Sequence, residues 1–180
     1  MDLDFLEIQT PVDVWTNILE LLPIRDDDIF LEPFKGLGSL YNQVNCLKEW
    51  CEITEGRDIF DYNCDKSIVT TIYTNPPFKC EITNKKGNKV VKNAVYYFLE
   101  YFMEKIPTLQ NIGFLINAKS WNSITPKRLV RLQKLGFFIH NIIVLNCNYW
   151  YGTYYFVLFK KYNSNLIIPI EKTFVKDISK

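Results

Sequence analysis

The sequence has almost no net charge: 21 Lys and Arg against 20 Asp and Glu leave +1 over 180 residues. That excludes a uniformly basic nucleic-acid binder. No stretch approaches the ~18 consecutive apolar residues of a membrane-spanning helix. The opening MDLDFLEIQT is acidic and has no apolar signal core. Histidine occurs once, as His140, and the five cysteines (Cys46, Cys51, Cys64, Cys80, Cys147) form no C-x-x-C pair. No common zinc pattern can be built from them, so no metal site is expected. The odd, scattered cysteines read as reduced thiols, and the expectation is a soluble intracellular protein of cytoplasm or nucleus, with no membrane contact. No repeat, low-complexity run or linker divides the chain, which reads as one domain over residues 1–180.

What is present is a strong asymmetry. Residues 1–65 hold 4 basic and 15 acidic side chains, residues 66–118 hold 7 and 3, and residues 119–180 hold 10 and 2. A neutral chain can therefore carry a cationic face for a polyanion. Apolar and aromatic residues are plentiful enough for a packed core, which excludes disorder.

Thr10-Pro11 followed by Val12, Val14, Trp15, Ile18, Leu19 and Leu22 predicts an amphipathic helix, with Thr10 as N-cap and Pro11 in the first position. Short apolar strands are expected at Ile29–Leu31, Glu49–Ile53, Ser67–Thr74 and Ile112–Ile116, with a short helix from Ser39. Residues 79–92 read as a lysine-rich loop, Val91–Ile106 as a helix and Pro126–Leu135 as a basic helix. Phe137–Asn146 and Thr153–Lys161 read as a hairpin at one sheet edge. Strands alternating with helices predict an α/β fold: a doubly wound, mostly parallel sheet with an antiparallel C-terminal hairpin.

Two motifs carry chemistry. In Leu31-Glu32-Pro33-Phe34-Lys35-Gly36-Leu37-Gly38-Ser39, a strand ends in a carboxylate and continues into G-x-G. Ligands of doubly wound sheets sit outside the carboxyl ends of the strands, where small residues let a ligand approach the backbone. A carboxylate there repels a pyrophosphate but suits a cationic amino-acid group. The second motif, Asn75-Pro76-Pro77-Phe78, follows a β-branched strand. Its prolines stiffen the segment and remove two backbone donors. The carbonyls of Asn75 and Pro76 are then free to accept hydrogen bonds from a substrate amino group, and Phe78 can offer a ring face.

In this order the motifs resemble those of the S-adenosylmethionine-dependent amino-methyltransferases, most closely the adenine-N6 DNA methyltransferases. Glu32-Pro33-Phe34-x-Gly36-x-Gly38-Ser39 is similar to the cofactor motif of the Dam-type enzymes. Asn75-Pro76-Pro77-Phe78 resembles their catalytic (Asn/Asp)-Pro-Pro-aromatic motif. Thr10-Pro11 and its helix resemble the cofactor-lining motif before the first strand. The resemblance spans about residues 8–162 and implies a Rossmann-like methyltransferase sheet with S-adenosyl-L-methionine as cofactor. By position it implies Glu52 as the acidic residue for the ribose hydroxyls, with Glu55 as the register alternative. It also implies Asp58 as a contact to the cofactor adenine. Asn75 and the Pro76 carbonyl would accept the two amino hydrogens of a target adenine, with Phe78 stacked on its ring. A base within a duplex must first be flipped out, which costs a few kcal/mol.

The nucleic-acid side is less sharply written. Lys79, Lys85, Lys86, Lys89 and Lys92 follow the catalytic motif and either close over a phosphate backbone or form a solvated loop. Trp121 lies where a substrate rim would be. Tyr149-Trp150-Tyr151 can present stacking surfaces or serve as core or dimer contacts. Lys127, Arg128, Arg131 and Lys134 face either phosphate or solvent. Glu32 and Asn75 are 43 positions apart, which leaves no room between them for a recognition domain. A homodimer, a partner subunit supplying recognition, or another substrate is implied. The same motif serves RNA adenine and protein-glutamine methyltransferases, and a non-catalytic binding subunit would keep the fold.

Overall fold

The computed structural model of the chain describes residues 9–61, 67–83, 87–147, 150, 152–162 and 172–178. In chain order it contains α1 (Val12–Leu21), β1 (Ile29–Glu32), β2 (Leu47–Trp50), β3 (Thr71–Thr74), β4 (Lys79–Thr83) and β5 (Lys89–Asn93). There follow α2 (Ala94–Lys105), β6 (Asn111–Asn117), α3 (Ala118–Asn122), α4 (Pro126–Lys134), β7 (Phe137–Cys147), β8 (Tyr154–Lys161) and β9 (Lys172–Ile178).

Seven of these strands form one sheet in the order β2-β1-β3-β6-β8-β7-β9. β2, β1, β3 and β6 run parallel, β8 is antiparallel to both β6 and β7, and β9 runs parallel to β7. The expected hairpin is therefore present but does not form the edge. β8 is inserted between β6 and β7, and β9 continues the sheet beyond them. The reason is visible in β8 itself. Phe156, Val157, Leu158 and Phe159 are all buried, a run apolar on both faces that suits an interior strand.

Strand alternation sorts the core into two layers. Phe30, Tyr73, Leu115, Phe156 and Leu158 face α1, where they meet Val14, Trp15 and Ile18. Leu31, Ile72, Ile112, Phe114, Ile116, Val157 and Phe159 face α2 and α4, meeting Phe98, Leu99, Phe102 and Leu132. The sheet is closely packed at Gly113, where a Cβ would lie 2.2 Å from the Phe156 ring.

Local differences from the sequence reading have identifiable causes. α1 begins at Val12 with Pro11 as N-cap and no side-chain cap, because the Thr10 hydroxyl is engaged elsewhere. The expected helix from Ser39 is a single 3-10 turn, Tyr41–Gln43. The lysine-rich segment is a two-stranded antiparallel ribbon, β4 with β5, running from Lys79↔Asn93 to Thr83↔Lys89. Its lysines and its lack of an apolar period disguised it, since the ribbon pairs only with itself and gives the core little beyond Cys80. Asn93 then caps α2 by accepting from the Tyr96 amide at 3.2 Å. Among the described residues no helix is long and apolar enough to cross a membrane.

Candidate functional site

The chain leaves β1 toward β2 on one side and returns to β3 on the other. In such sheets a crevice at that reversal, outside the carboxyl ends of β1 and β3, is the usual ligand position. Glu32 ends β1 and Asn75 follows β3, so the two sequence motifs meet there.

Glu32 is buried, only 3% exposed, and its Oε2 has no hydrogen-bond partner among the described residues. Burial pushes its carboxyl well above the ordinary carboxylate range, while the Tyr41 backbone and the Lys35 ammonium pull it back. A buried carboxylate in this condition favours a cationic partner. Its backbone is fixed from the neighbouring loop: the Cys51 amide donates to the Glu32 carbonyl at 2.9 Å, and the Lys35 amide donates to the Cys51 carbonyl at 3.0 Å.

After the buried Pro33, the chain turns through Gly36 (φ 53) and Gly38 (φ 82), both in the left-handed region. The turn is closed by Gly38 N–H on the Lys35 carbonyl at 2.9 Å. Two amides of this loop point at side-chain oxygens. Gly36 N–H donates to Glu52 Oε2 at 2.7 Å, and Leu37 N–H donates to Gln9 Oε1 at 3.0 Å. A Cβ on Gly36 would stand 2.5 Å from that same Gln9 oxygen. Gln9 is a functional candidate that no sequence pattern flagged, since it lies one residue before the recognisable Thr10-Pro11.

Glu52 has further duties. Its Oε1 accepts from the Thr54 amide at 3.1 Å and the Thr54 hydroxyl at 2.8 Å, capping the turn Ile53–Glu55. Its carboxylate thus ties the end of β2 to the glycine loop. Glu55 instead pairs with Lys35 at 2.8 Å. Trp50 lies between two cations, with Lys35 Nζ and the Arg57 guanidinium each 3.8 Å from the ring centre. Asp58 turns back on its own chain, accepting from the Phe60 amide at 2.9 Å. The Phe60 ring stacks on Phe98 of α2 at 5.6 Å, and Phe34 meets the same Phe98 at 4.7 Å.

Asn75 is the centre of the second motif. Its Nδ2 donates to Thr10 Oγ1 at 3.0 Å, while its Oδ1 is buried with no partner among the described residues. Thr74 Oγ1, one residue before, is buried in the same condition. Pro76 is buried, Pro77 exposed and Phe78 half-buried. The Phe78 carbonyl accepts from the Ala94 amide at 3.2 Å, which anchors the end of the motif to the start of α2.

The substrate candidates are dispersed. Lys79 is exposed on β4 opposite Asn93, and Lys89 is ion-paired with Glu81 at 2.7 Å. Lys85 and Lys86 lie outside the described residues. Trp121 is half-buried, its ring 5.9 Å from Tyr155. Trp150 packs 4.4 Å from Tyr154 at the margin of the α1-side core. Strand pairing and hydrogen bonds therefore bring together Thr10, Pro11, Glu32, Pro33, Gly36, Gly38, Glu52 and Asn75–Phe78, whereas Asp58, Lys89, Trp121 and Trp150 make their described contacts elsewhere.

No family model and no curated protein matches the chain in sequence. Solved structures do match in fold. A protein from Listeria monocytogenes assigned to the class I S-adenosylmethionine-dependent methyltransferases superposes with a TM-score of 0.67 at 13% identity, covering 100% of this chain and 68% of that one. The M protein of the type I restriction enzyme EcoKI gives 0.54 at 13% identity, over 96% of this chain and 48% of that one. The E. cuniculi Mtq2-Trm112 complex, which methylates the translation termination factor eRF1, gives 0.52 at 13% identity, over 86% and 98%. The chain thus has the Rossmann-like fold of the class I methyltransferases, and it spans about half the length of the type I restriction subunit.

Proposed function

We propose that this chain is an S-adenosyl-L-methionine-dependent N-methyltransferase acting on the exocyclic amino group of adenine in nucleic acid, preferably DNA. The observation that carries this reading is the state of Asn75: a buried Oδ1 with no partner, held by a side chain already tethered to Thr10. A buried acceptor without a donor is costly, and an amino hydrogen would satisfy it. At the end of β1, the partnerless buried oxygen of Glu32 fits an amino-acid ammonium.

When bound, the cofactor would supply an electrophilic methyl group. The chain's own residues do the rest. Glu32 pairs with the ammonium end, and Glu52 and Gln9 set the shape of the glycine loop. Asn75 Oδ1 accepts one amino hydrogen and the Pro76 carbonyl the other. With both hydrogens committed, the nitrogen lone pair is drawn out of conjugation with the ring and becomes nucleophilic. Phe78 offers its ring face to the base. Positioning and fixed dipoles account for the acceleration, with no covalent intermediate on the protein.

The test is direct. The protein is incubated with labelled S-adenosylmethionine and DNA, RNA or a protein substrate, and the methylated atom is identified by mass spectrometry. Label at N6 of adenine is expected. Label confined to glutamine side chains, which present an amide nitrogen of similar geometry, would overturn the adenine assignment, and no transfer at all would overturn the enzymatic one.

A further inference from the structure

A groove of about 510 Å³ runs between α2 and α4, lined in part by Asn93, Tyr96, Glu100, Lys127, Arg128 and Arg131. None of these residues takes part in the site described above. We infer that this groove holds the phosphodiester backbone of the nucleic-acid strand beside the target base, a role that rests on the reading given under Proposed function.

Position is the first argument. Asn93, at one end of the groove, is the cross-strand partner of Lys79, the residue immediately after Phe78. Its neighbour Ala94 donates to the Phe78 carbonyl at 3.2 Å. The groove therefore begins where the Asn75–Phe78 segment ends. A nucleotide with its base on Phe78 would send its flanking phosphates toward that opening.

Charge and preorganisation are the second. Three cations line the groove against one acid, and that acid is committed: Glu100 is ion-paired with Arg131 and accepts from the Tyr96 hydroxyl at 3.3 Å. Arg128 is fixed at two points, its guanidinium 4.4 Å above the Tyr96 ring and its Nη1 donating to the Ser123 carbonyl at 2.6 Å. Its remaining N–H groups are held in one place, the condition that makes arginine a good phosphate ligand. Lys127 is exposed, with no ion-pair partner among the described residues. Both sit in the first turn of α4, where Thr125 caps the Arg128 amide at 3.4 Å, and Thr125, Lys127 and Arg128 all line the groove, so the positive end of the helix borders it. The basic character of this helix in the sequence thus becomes a localised cationic surface beside the catalytic loop.

The experiment uses the full chain and a fluorescein-labelled single-stranded DNA oligonucleotide, with anisotropy measured across a salt series. Lys127→Gln and Arg128→Gln are compared with Lys105→Gln, which removes the same charge at the far end of α2. Each groove variant should weaken binding several-fold and flatten the slope of log K against log salt by about 0.7, the value for one phosphate contact on a single strand. Lys105→Gln should leave both unchanged. Equal effects from all three, no effect from the groove variants, or no binding by the wild type would overturn the groove assignment. Lys127 is solvent-exposed, so its variant remains informative even if Arg128→Gln lowers the melting temperature. Methyl transfer is assayed on the same preparations. Methylation of adenine with groove variants that bind normally would remove the groove alone. Cofactor binding with label only on protein would remove the adenine reading instead.

Discussion

Asn75 Nδ2 and Thr10 Oγ1 are joined by a 3.0 Å hydrogen bond across 65 residues of sequence. In this arrangement the nitrogen is committed to Thr10, and Oδ1 is the buried end left without a partner among the described residues. On the proposed reading, that oxygen is the acceptor for a substrate amino hydrogen.

Asn75→Ala is accordingly expected to lower kcat by about 10²–10³-fold, the usual cost of losing one fixed transition-state hydrogen-bonding group. Cofactor affinity measured by calorimetry should stay near that of the wild type. Loss of cofactor binding would show that Asn75 belongs to a different part of the site.

On the proposed reading, Thr10 acts through its hydrogen bond to Asn75 as a positioning residue. Thr10→Val keeps the volume and removes the hydroxyl, so kcat should fall about 2–10-fold, the equivalent of one hydrogen bond. Thr10→Ser should restore most of it. A purely structural role would instead lower the melting temperature of both variants without this split.

Glu32 gives a pH-dependent test with two opposite signs. Burial raises its carboxyl well above the usual range, so the folded state favours the protonated form. The stability it contributes is full below the ordinary carboxylate pKa and is lost as pH rises through the raised value. Glu32→Gln stays neutral and escapes that loss, so at pH 7 its Tm should rise by a few degrees, with about 2–4 °C per kcal/mol for a chain of this size. Cofactor affinity runs the other way. It should rise with pH in the wild type as Glu32 ionises, and fall about 10–100-fold in Glu32→Gln, the range for a hydrogen bond to a charged group. Unchanged affinity in calorimetry would remove Glu32 from the binding role.

Gly113→Ala tests the packing beneath the site. The added methyl would lie 2.2 Å from the Phe156 ring, and overpacking of this kind costs about 1–3 kcal/mol. Urea denaturation should show that loss, and the second substitution Phe156→Leu should recover part of it. If Gly113→Ala is as stable as the wild type, β6 and β8 are not in the close contact described.

Much of the fold was legible because it rests on local pattern. β-branched and apolar runs marked β1, β3 and β6, and the α1 periodicity is carried by the side chains that it buries, Val14, Trp15 and Ile18. The continuous apolar run Phe156–Phe159 was present in the sequence, yet it did not reveal that β8 would thread between β6 and β7. Pairing order is a property of the whole sheet. The β4–β5 ribbon escaped notice because it stands on backbone pairing with few apolar side chains. At the site, Glu32, the two glycines and Asn75 were readable as a strand-end carboxylate, a tight turn and a stiff acceptor. The partnerships of Gln9 with Leu37 and of Thr10 with Asn75 were not. They join segments far apart in sequence, and nothing in a single polar residue announces its distant partner.

The inserted position of β8 has a consequence for how the molecule forms. β6 pairs with β3 on one side and with β8 on the other, and β8 is made some 40 residues after β6. Until Tyr154–Lys161 leaves the ribosome, β6 keeps an open edge next to the strands that carry the crevice. Such non-local closure slows folding and leaves an unpaired edge exposed to wrong partners. Shortened nascent chains ending before Tyr154 should therefore be the aggregation-prone species during synthesis, and the crevice should acquire its ligand-binding rigidity only as the last strands dock.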